Sequence, residues 1–169
     1  ECSGIRVFGR RIKSLVFSTD VAIIKNINAD AIIAVYPFTP QPAITQAIIG
    51  VSEVPVFCGV GGGLTNGVRS ASMAAYVEHQ GAYGVVCNSK IGVETIHAIK
   101  DAVEIPVVYT VISENTDIQP YLTAGVDIIN VSGAARTPEI VGALRQRYPE
   151  VPIIATGGPK DETIRKTIA

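Results

Sequence analysis

The chain has no tryptophan, two histidines and three cysteines, and charged residues make up only 17% of its 169 positions. Each shortage excludes something. Cys2, Cys58 and Cys87 are odd in number, widely spaced and without a CxxC pair. They therefore form neither a disulfide framework nor a structural zinc site, and a reducing, cytoplasmic setting is expected. His79 and His97 fall in helical patterns, so the strand ends lack the clustered ligands of a transition-metal site. The net charge is -1 and no basic patch stands out, which argues against nucleic acid as a partner. No apolar run reaches the ~18 residues of a membrane span, and no leader pattern is present.

What is present is apolar and repetitive. Hydrophobic residues make up 47% of the chain, enough at this length for one domain, residues 1–169, with a sizeable core. Two series of short apolar runs alternate. One opens on a β-branched residue and a proline: "VPVFC" (54–58), "IPVVY" (105–109) and "VPIIA" (151–155), with "KSLVFS" (13–18) as its first member. The other follows a small residue: "ADAIIAV" (29–35), "GAYGVVC" (81–87) and "GVDIINV" (125–131). Continuous apolar runs of this length read as buried parallel strands. Helical patterns lie between them. In "TPEIVGALRQRYP", Thr137 is the expected N-cap, Pro138 takes the first helical position, and Ile140, Val141 and Leu144 form the buried stripe.

A βαβα unit that recurs about every 50 residues gives a repeating architecture. Seven strands are present, four copies would give eight, and the chain ends inside the helical pattern "DETIRKTIA". The expected fold is α/β, a (β/α)8 TIM barrel of aldolase type, with the eighth strand and helix missing from this sequence. The alternative is an open doubly wound sheet, but the first strand is followed by "FSTDVAII" and not by a glycine-rich dinucleotide fingerprint. A barrel short of one strand exposes two edges, so the same reading expects either an eighth strand outside this sequence or another chain, such as a second copy, over the gap.

Such barrels carry their sites at the C-terminal ends of the strands, often with a phosphate by the last two loops. The turn "ATGGPKDE" after the seventh strand places Thr156, Gly157 and Gly158 before a helix start, where backbone N–H groups can approach an anion. Glycines also make ordinary strand-to-helix turns. "NVSGAARTPE" offers Asn130, Ser132 and Gly133 at a second helix start. Asp20 and Glu114 follow the first and fifth strands, opposite one another in an eight-stranded ring, and could share acid–base work. Asp20 could equally cap the first helix and Glu114 belong to a solvated turn. Lys90 and Asn88, behind the fourth strand, could neutralise and orient a substrate. "CGVGGGLTNG" (58–67) is a close-approach loop over the barrel mouth or a flexible linker. Cys58 and Cys87 read as core residues, since no histidine stands at a strand end to activate them. Lys13 is the one lysine in the seven strands and stands at the wrong end, which excludes a Schiff-base aldolase built on them.

"FSTD", "AVYPFTPQP", "FCGVGGG", "INVSGA" and "PIIATGGPKDETI" together resemble a bacterial family of aldolase-type TIM barrels labelled hydrolase. The family's first-strand motif is FTTD-like, and here it reads "FSTD". The resemblance covers essentially the whole chain and implies an enzyme without naming a substrate. "ATGG" is similar, more distantly, to the phosphate-gripping turn of the ribulose-phosphate-binding barrels. The expected function is an enzyme acting on a small phosphorylated molecule by hydrolase, epimerase or lyase chemistry. The rival is a non-catalytic phosphometabolite sensor or partner-binding barrel. No cofactor is expected beyond weak magnesium held by Asp20 or by a substrate phosphate.

Overall fold

The structure, a computed structural model, describes residues 2–157 and 160–168. Seven parallel strands pair in chain order: β3 (Leu15–Phe17), β4 (Ala31–Ala34), β5 (Val56–Gly61), β6 (Gly84–Cys87), β7 (Val107–Val111), β8 (Ile128–Val131) and β9 (Ile153–Ala155). All seven expected strands are therefore present. Helices α1 (Val21–Asn26), α2 (Pro42–Val51), α3 (Val68–His79), α4 (Val93–Ala102), α5 (Gln119–Thr123), α6 (Thr137–Arg147) and α7 (Asp161–Ile168) alternate with them. The sheet curls as it does in a TIM barrel, but β3 and β9 do not meet, and the barrel is not closed.

The strands β4 to β8 are buried on both faces, so their alternating side chains sort into two cores. Ile32, Ala34, Cys58, Val85, Cys87, Val107, Tyr109 and Ile129 face the helices, packing with Ile48, Ala74, Ile96, Ile140 and Leu144. Ala31, Ile33, Phe57, Val86, Val108, Ile128 and Ile154 face the interior of the curl. Among the described residues no helix contributes to that inner core. Its lower part is filled by an element that the sequence pattern did not announce: the antiparallel hairpin of β1 (Ile5–Val7) and β2 (Arg10–Ile12), whose Ile5, Val7 and Ile12 join the inner core. Phe8 and Gly9 make the two-residue turn with φ values of 47° and 79°, the positive pair that a tight hairpin demands. Phe8 takes this conformation without being glycine, and its ring stands edge-on to Tyr83 at 5.6 Å.

One helix start differs from expectation. Thr137 lies inside α6 and not at its N-cap, which is Arg136. Its buried hydroxyl accepts instead from the Gly133 N–H at 3.0 Å, tying the preceding loop to the helix.

Because the hairpin fills the bottom of the inner core, Ile12→Ala should lower the unfolding free energy by about 2–5 kcal/mol. Gly50→Ala, in α2 with open space at the added Cβ, should instead raise it by up to about 1 kcal/mol. Urea unfolding of both variants checks the pair.

Candidate functional site

Above the inner core, at the C-terminal ends of β4 to β7, the interior opens into a cavity of about 150 Å³. Val35 and Val86 and the segment Tyr36–Pro40 form its apolar wall, the loop Gly61–Thr65 its roof, and Asn88 and Thr110 its polar floor. Phe38 and Leu64 stand exposed at the mouth.

The glycine-rich roof is a fitted element and not a linker. A Cβ on Gly61 would lie 2.2 Å from Ser70 Oγ and 2.4 Å from the Thr65 carbonyl oxygen, and one on Gly62 would lie 2.7 Å from Asn88 Oδ1. Both glycines have positive φ, 145° and 107°. Gly62 N–H donates to the Thr65 carbonyl at 2.7 Å, the buried Ser70 hydroxyl to the same carbonyl at 3.0 Å, and Gly67 N–H to Thr95 Oγ1 at 3.0 Å. The loop is thus held by α3, by α4 and by the end of β6, in a conformation that only glycine adopts without strain.

Polar groups on three adjacent strands meet below the opening. Thr156 donates to Asn130 Oδ1 at 3.3 Å, and Asn130 Nδ2 donates to Thr110 Oγ1 at 3.3 Å. Asn130 is only 2% exposed. Inside a low-dielectric core its amide requires these partners, and the ladder supplies them. The sequence marked Asn130 and Thr156 as strand-end residues. It missed Thr110 as their bridge because the link depends on strand register, here Thr110 beside Asn130.

The remaining expected residues are dispersed. Asp20 is exposed and caps α1, its Oδ1 accepting from Ala22 N–H at 2.9 Å and Ile23 N–H at 3.1 Å. Glu114 is ion-paired with Arg136, and Arg147 holds its carbonyl oxygen. A hydrogen bond from its own backbone N–H, then the Arg136 guanidinium, keep its carboxyl below the ordinary range. Neither carboxylate lines the cavity, so the expected shared acid–base cavity is not formed by these two residues. The capping alternative describes Asp20, and a carboxylate held ionised by an arginine is a poor general acid near neutral pH. Lys90 is exposed beside the cavity, and its N–H donates to Asn88 Oδ1 at 2.9 Å. At the turn after β8, Ser132 N–H donates to the Val111 carbonyl at 2.9 Å, and the Gly133 N–H is taken by Thr137.

After β9, Gly157 is exposed and a Cβ there would lie 2.8 Å from Ile164 Cγ1, so α7 itself gives a packing reason for this glycine. The first turn of α7 carries Asp161 and Glu162, which offset the positive end of the helix. Gly158 lies outside the described residues. Cys58 and Cys87 face the helices, and burial pushes both thiols up to about 12. Among the described residues no cluster of three His, Cys, Asp or Glu could hold a metal ion. No helix among them is long and apolar enough to cross a membrane.

No family model matches the chain, and no curated protein matches it. Solved structures do. It is similar to phosphonopyruvate hydrolase in complex with oxalate and Mg²⁺, with a TM-score of 0.70, 17% identity, and coverage of 86% of this chain and 67% of that one. It is similar to phosphoenolpyruvate phosphomutase from Streptomyces platensis subsp. rosaceus, with a TM-score of 0.66, 14% identity, and coverage of 83% and 67%. It is also similar to dihydrodipicolinate synthase from Aquifex aeolicus, with a TM-score of 0.65, 13% identity, and coverage of 86% and 63%. The chain spans about two thirds of the length of these proteins. At these identities the likeness shows the fold alone, a curled parallel sheet like that of TIM-barrel proteins.

A thiol-reactive dye checks the assignment of the cysteines. Cys2 should react within minutes at pH 8 in the native protein, while Cys58 and Cys87 should wait for unfolding. Fast labelling of either buried thiol would show that its thiolate is stabilised, contrary to its surroundings.

Proposed function

We propose that the chain binds a small phosphorylated molecule at the C-terminal face of the curled sheet, as part of an enzyme of hydrolase, lyase or isomerase type. The observation that carries this reading is the cavity itself. It lies where the strand ends of such barrels hold ligands, has a fitted glycine roof, and has unspent polar groups on its floor. Solved neighbours named as phosphonopyruvate hydrolase and phosphoenolpyruvate phosphomutase act, by those names, on phosphorus-bearing small molecules, which supports the same class here.

In this reading the turns after β8 and β9 receive the phosphate: Gly157, Gly158 and the Ser132 hydroxyl offer it donors, while Thr156 and Gly133, whose own donors go to Asn130 and Thr137, shape the two turns. Asn88 orients the remainder of the ligand, Asn130 braces the floor behind it through Thr110, and Lys90 swings in to offset its charge. Asp20 is spent on α1 and Glu114 on Arg136, so neither is assigned the acid–base step. That expenditure is also the specific observation favouring a second reading, a phosphometabolite sensor.

Calorimetric titration with a panel of phosphorylated and phosphonylated small acids, paired with ³¹P NMR of the mixtures over hours, tests both. Saturable binding with a new phosphorus resonance is expected. Binding without turnover would favour the sensor, and no binding by any member of the panel would end the reading. Lys90→Ala should weaken binding about ten-fold and Lys90→Arg much less, since a single exposed charge-assisted contact is removed.

A further inference from the structure

The polar side chains around the cavity share a feature that chemistry makes informative. Tyr36 Oη accepts from the Gln41 N–H at 2.8 Å. Asn88 Oδ1 accepts from the Lys90 N–H at 2.9 Å. Thr110 Oγ1 accepts from Asn130 Nδ2 at 3.3 Å. In each case the protein supplies a donor to the oxygen. Among the described residues, none of the three gives its own proton to a protein acceptor. The Tyr36 hydroxyl, the Asn88 amide NH₂ and the Thr110 hydroxyl are therefore left as donors, and all three residues line the cavity. The hydroxyls of Thr39 and Thr65, also on the lining, make no such bond and can turn either way.

We infer that this cavity is a donor-rich subsite for an acceptor-only group, a carboxylate, and that Tyr36, Asn88 and Thr110 hold it. The inference rests on the reading that the cavity is a ligand site, and it deepens that reading. The ligand bears a carboxylate here, separate from the phosphate assigned to the β8 and β9 turns.

Geometry and charge both favour a carboxylate. Cys87 at the end of β6 is in register with Tyr109 on β7, so Asn88 and Thr110 each follow one place further along neighbouring chain segments and share the cavity side. Two donors on the floor, with the Tyr36 phenol on the wall, suit a planar group with two oxygens. No lysine or arginine lines the cavity. A monoanion can be held there by neutral donors, whereas a phosphate dianion would leave more charge uncompensated against Val35, Phe38 and Val86. Asn130 acts as a positioning residue. Its Oδ1 is engaged by Thr156, so its NH₂ is aimed at Thr110, and this fixes which way the Thr110 hydroxyl must donate.

The test uses acetate, which only accepts, and methylammonium, which only donates, titrated into ¹⁵N-labelled full chain. Acetate should shift the Asn88 side-chain NH₂ resonances saturably, and methylammonium should not. Thr110→Val should weaken acetate about ten-fold or more, with Thr110→Ser within about two-fold of the parent. An Asn88 NH₂ signal that ignores acetate, a Thr110→Val variant that binds acetate like the parent, or occupancy by methylammonium would each overturn the inference. If Thr110→Val does not fold, Asn88→Asp carries the test. It keeps the oxygen that Lys90 N–H needs and removes the donor, and retained acetate shifts at the Gly61–Thr65 amides would overturn the inference.

Inorganic phosphate separates the two readings. Phosphate that displaces acetate from Asn88 would overturn the carboxylate assignment. Phosphate that shifts the Gly157 amide and leaves Asn88 alone supports it. Phosphate that binds nowhere, while acetate behaves as expected, would remove the phosphate from the proposed function and leave this subsite standing.

Discussion

A parallel strand buried on both faces has to satisfy two neighbours at once, and in this chain the inner one is the harder. Helices cover the outer face of the sheet, but the inner face can be filled only by its own side chains and by whatever enters from the ends. Ala31, Ile33, Phe57, Val86, Val108, Ile128 and Ile154 supply most of that filling, and the β1–β2 hairpin supplies the rest from below. The upper end is left unfilled, and the cavity is the part of the inner space that this packing does not reach. The site is thus a consequence of how the core is stacked, with apolar residues low and polar residues high on the same strands.

The same stacking decides which polar groups are available for chemistry. Those on inward positions, such as Asn88, Thr110, Asn130 and Thr156, meet one another or the cavity. Those on the loops beyond, such as Asp20 and Glu114, meet helix N–H groups and arginines instead. Charge is spent on the rim, where water and counter-charges are near, and neutral hydrogen-bonding groups occupy the interior, where an ion would be costly to desolvate. A site built in this way recognises a ligand by the direction of its hydrogen bonds more than by opposite charge.

The strands were legible because prolines and small residues punctuate runs too apolar for any surface element. The hairpin was not, because "IRVFGRRI" carries three arginines and its strands are three residues each. The alternation of Ile5 and Val7 with Arg6, around Phe8-Gly9, was the available signal. Strand-end residues could be named from sequence, but their direction could not. Asp20 has the same spelling whether it caps a helix or faces a substrate, and only the Ala22 and Ile23 N–H groups decide. Thr110 also stands at a strand end, but its bridging role was hidden for the opposite reason. A threonine in an apolar strand looks unremarkable until register sets it beside Asn130. Glycine was ambiguous in the same manner, since Gly61 and Gly62 give no hint in the sequence of Ser70, Thr65 and Asn88 pressing on them.

Among the described residues β3 and β9 stand at the margins of the sheet, and this bears on where it breathes. Edge strands open first, because half of their backbone groups are bonded to water and little packing is lost when they part. The donors on the cavity floor belong to β6 and β7, and its roof springs from β5, all in the middle of the sheet and flanked on both sides. Fraying at either margin therefore costs the recognition groups none of their backbone support. The edges can exchange with solvent, or accept another strand, while the centre keeps its geometry. Adaptation at the border and fidelity at the floor are thereby assigned to different strands of one sheet.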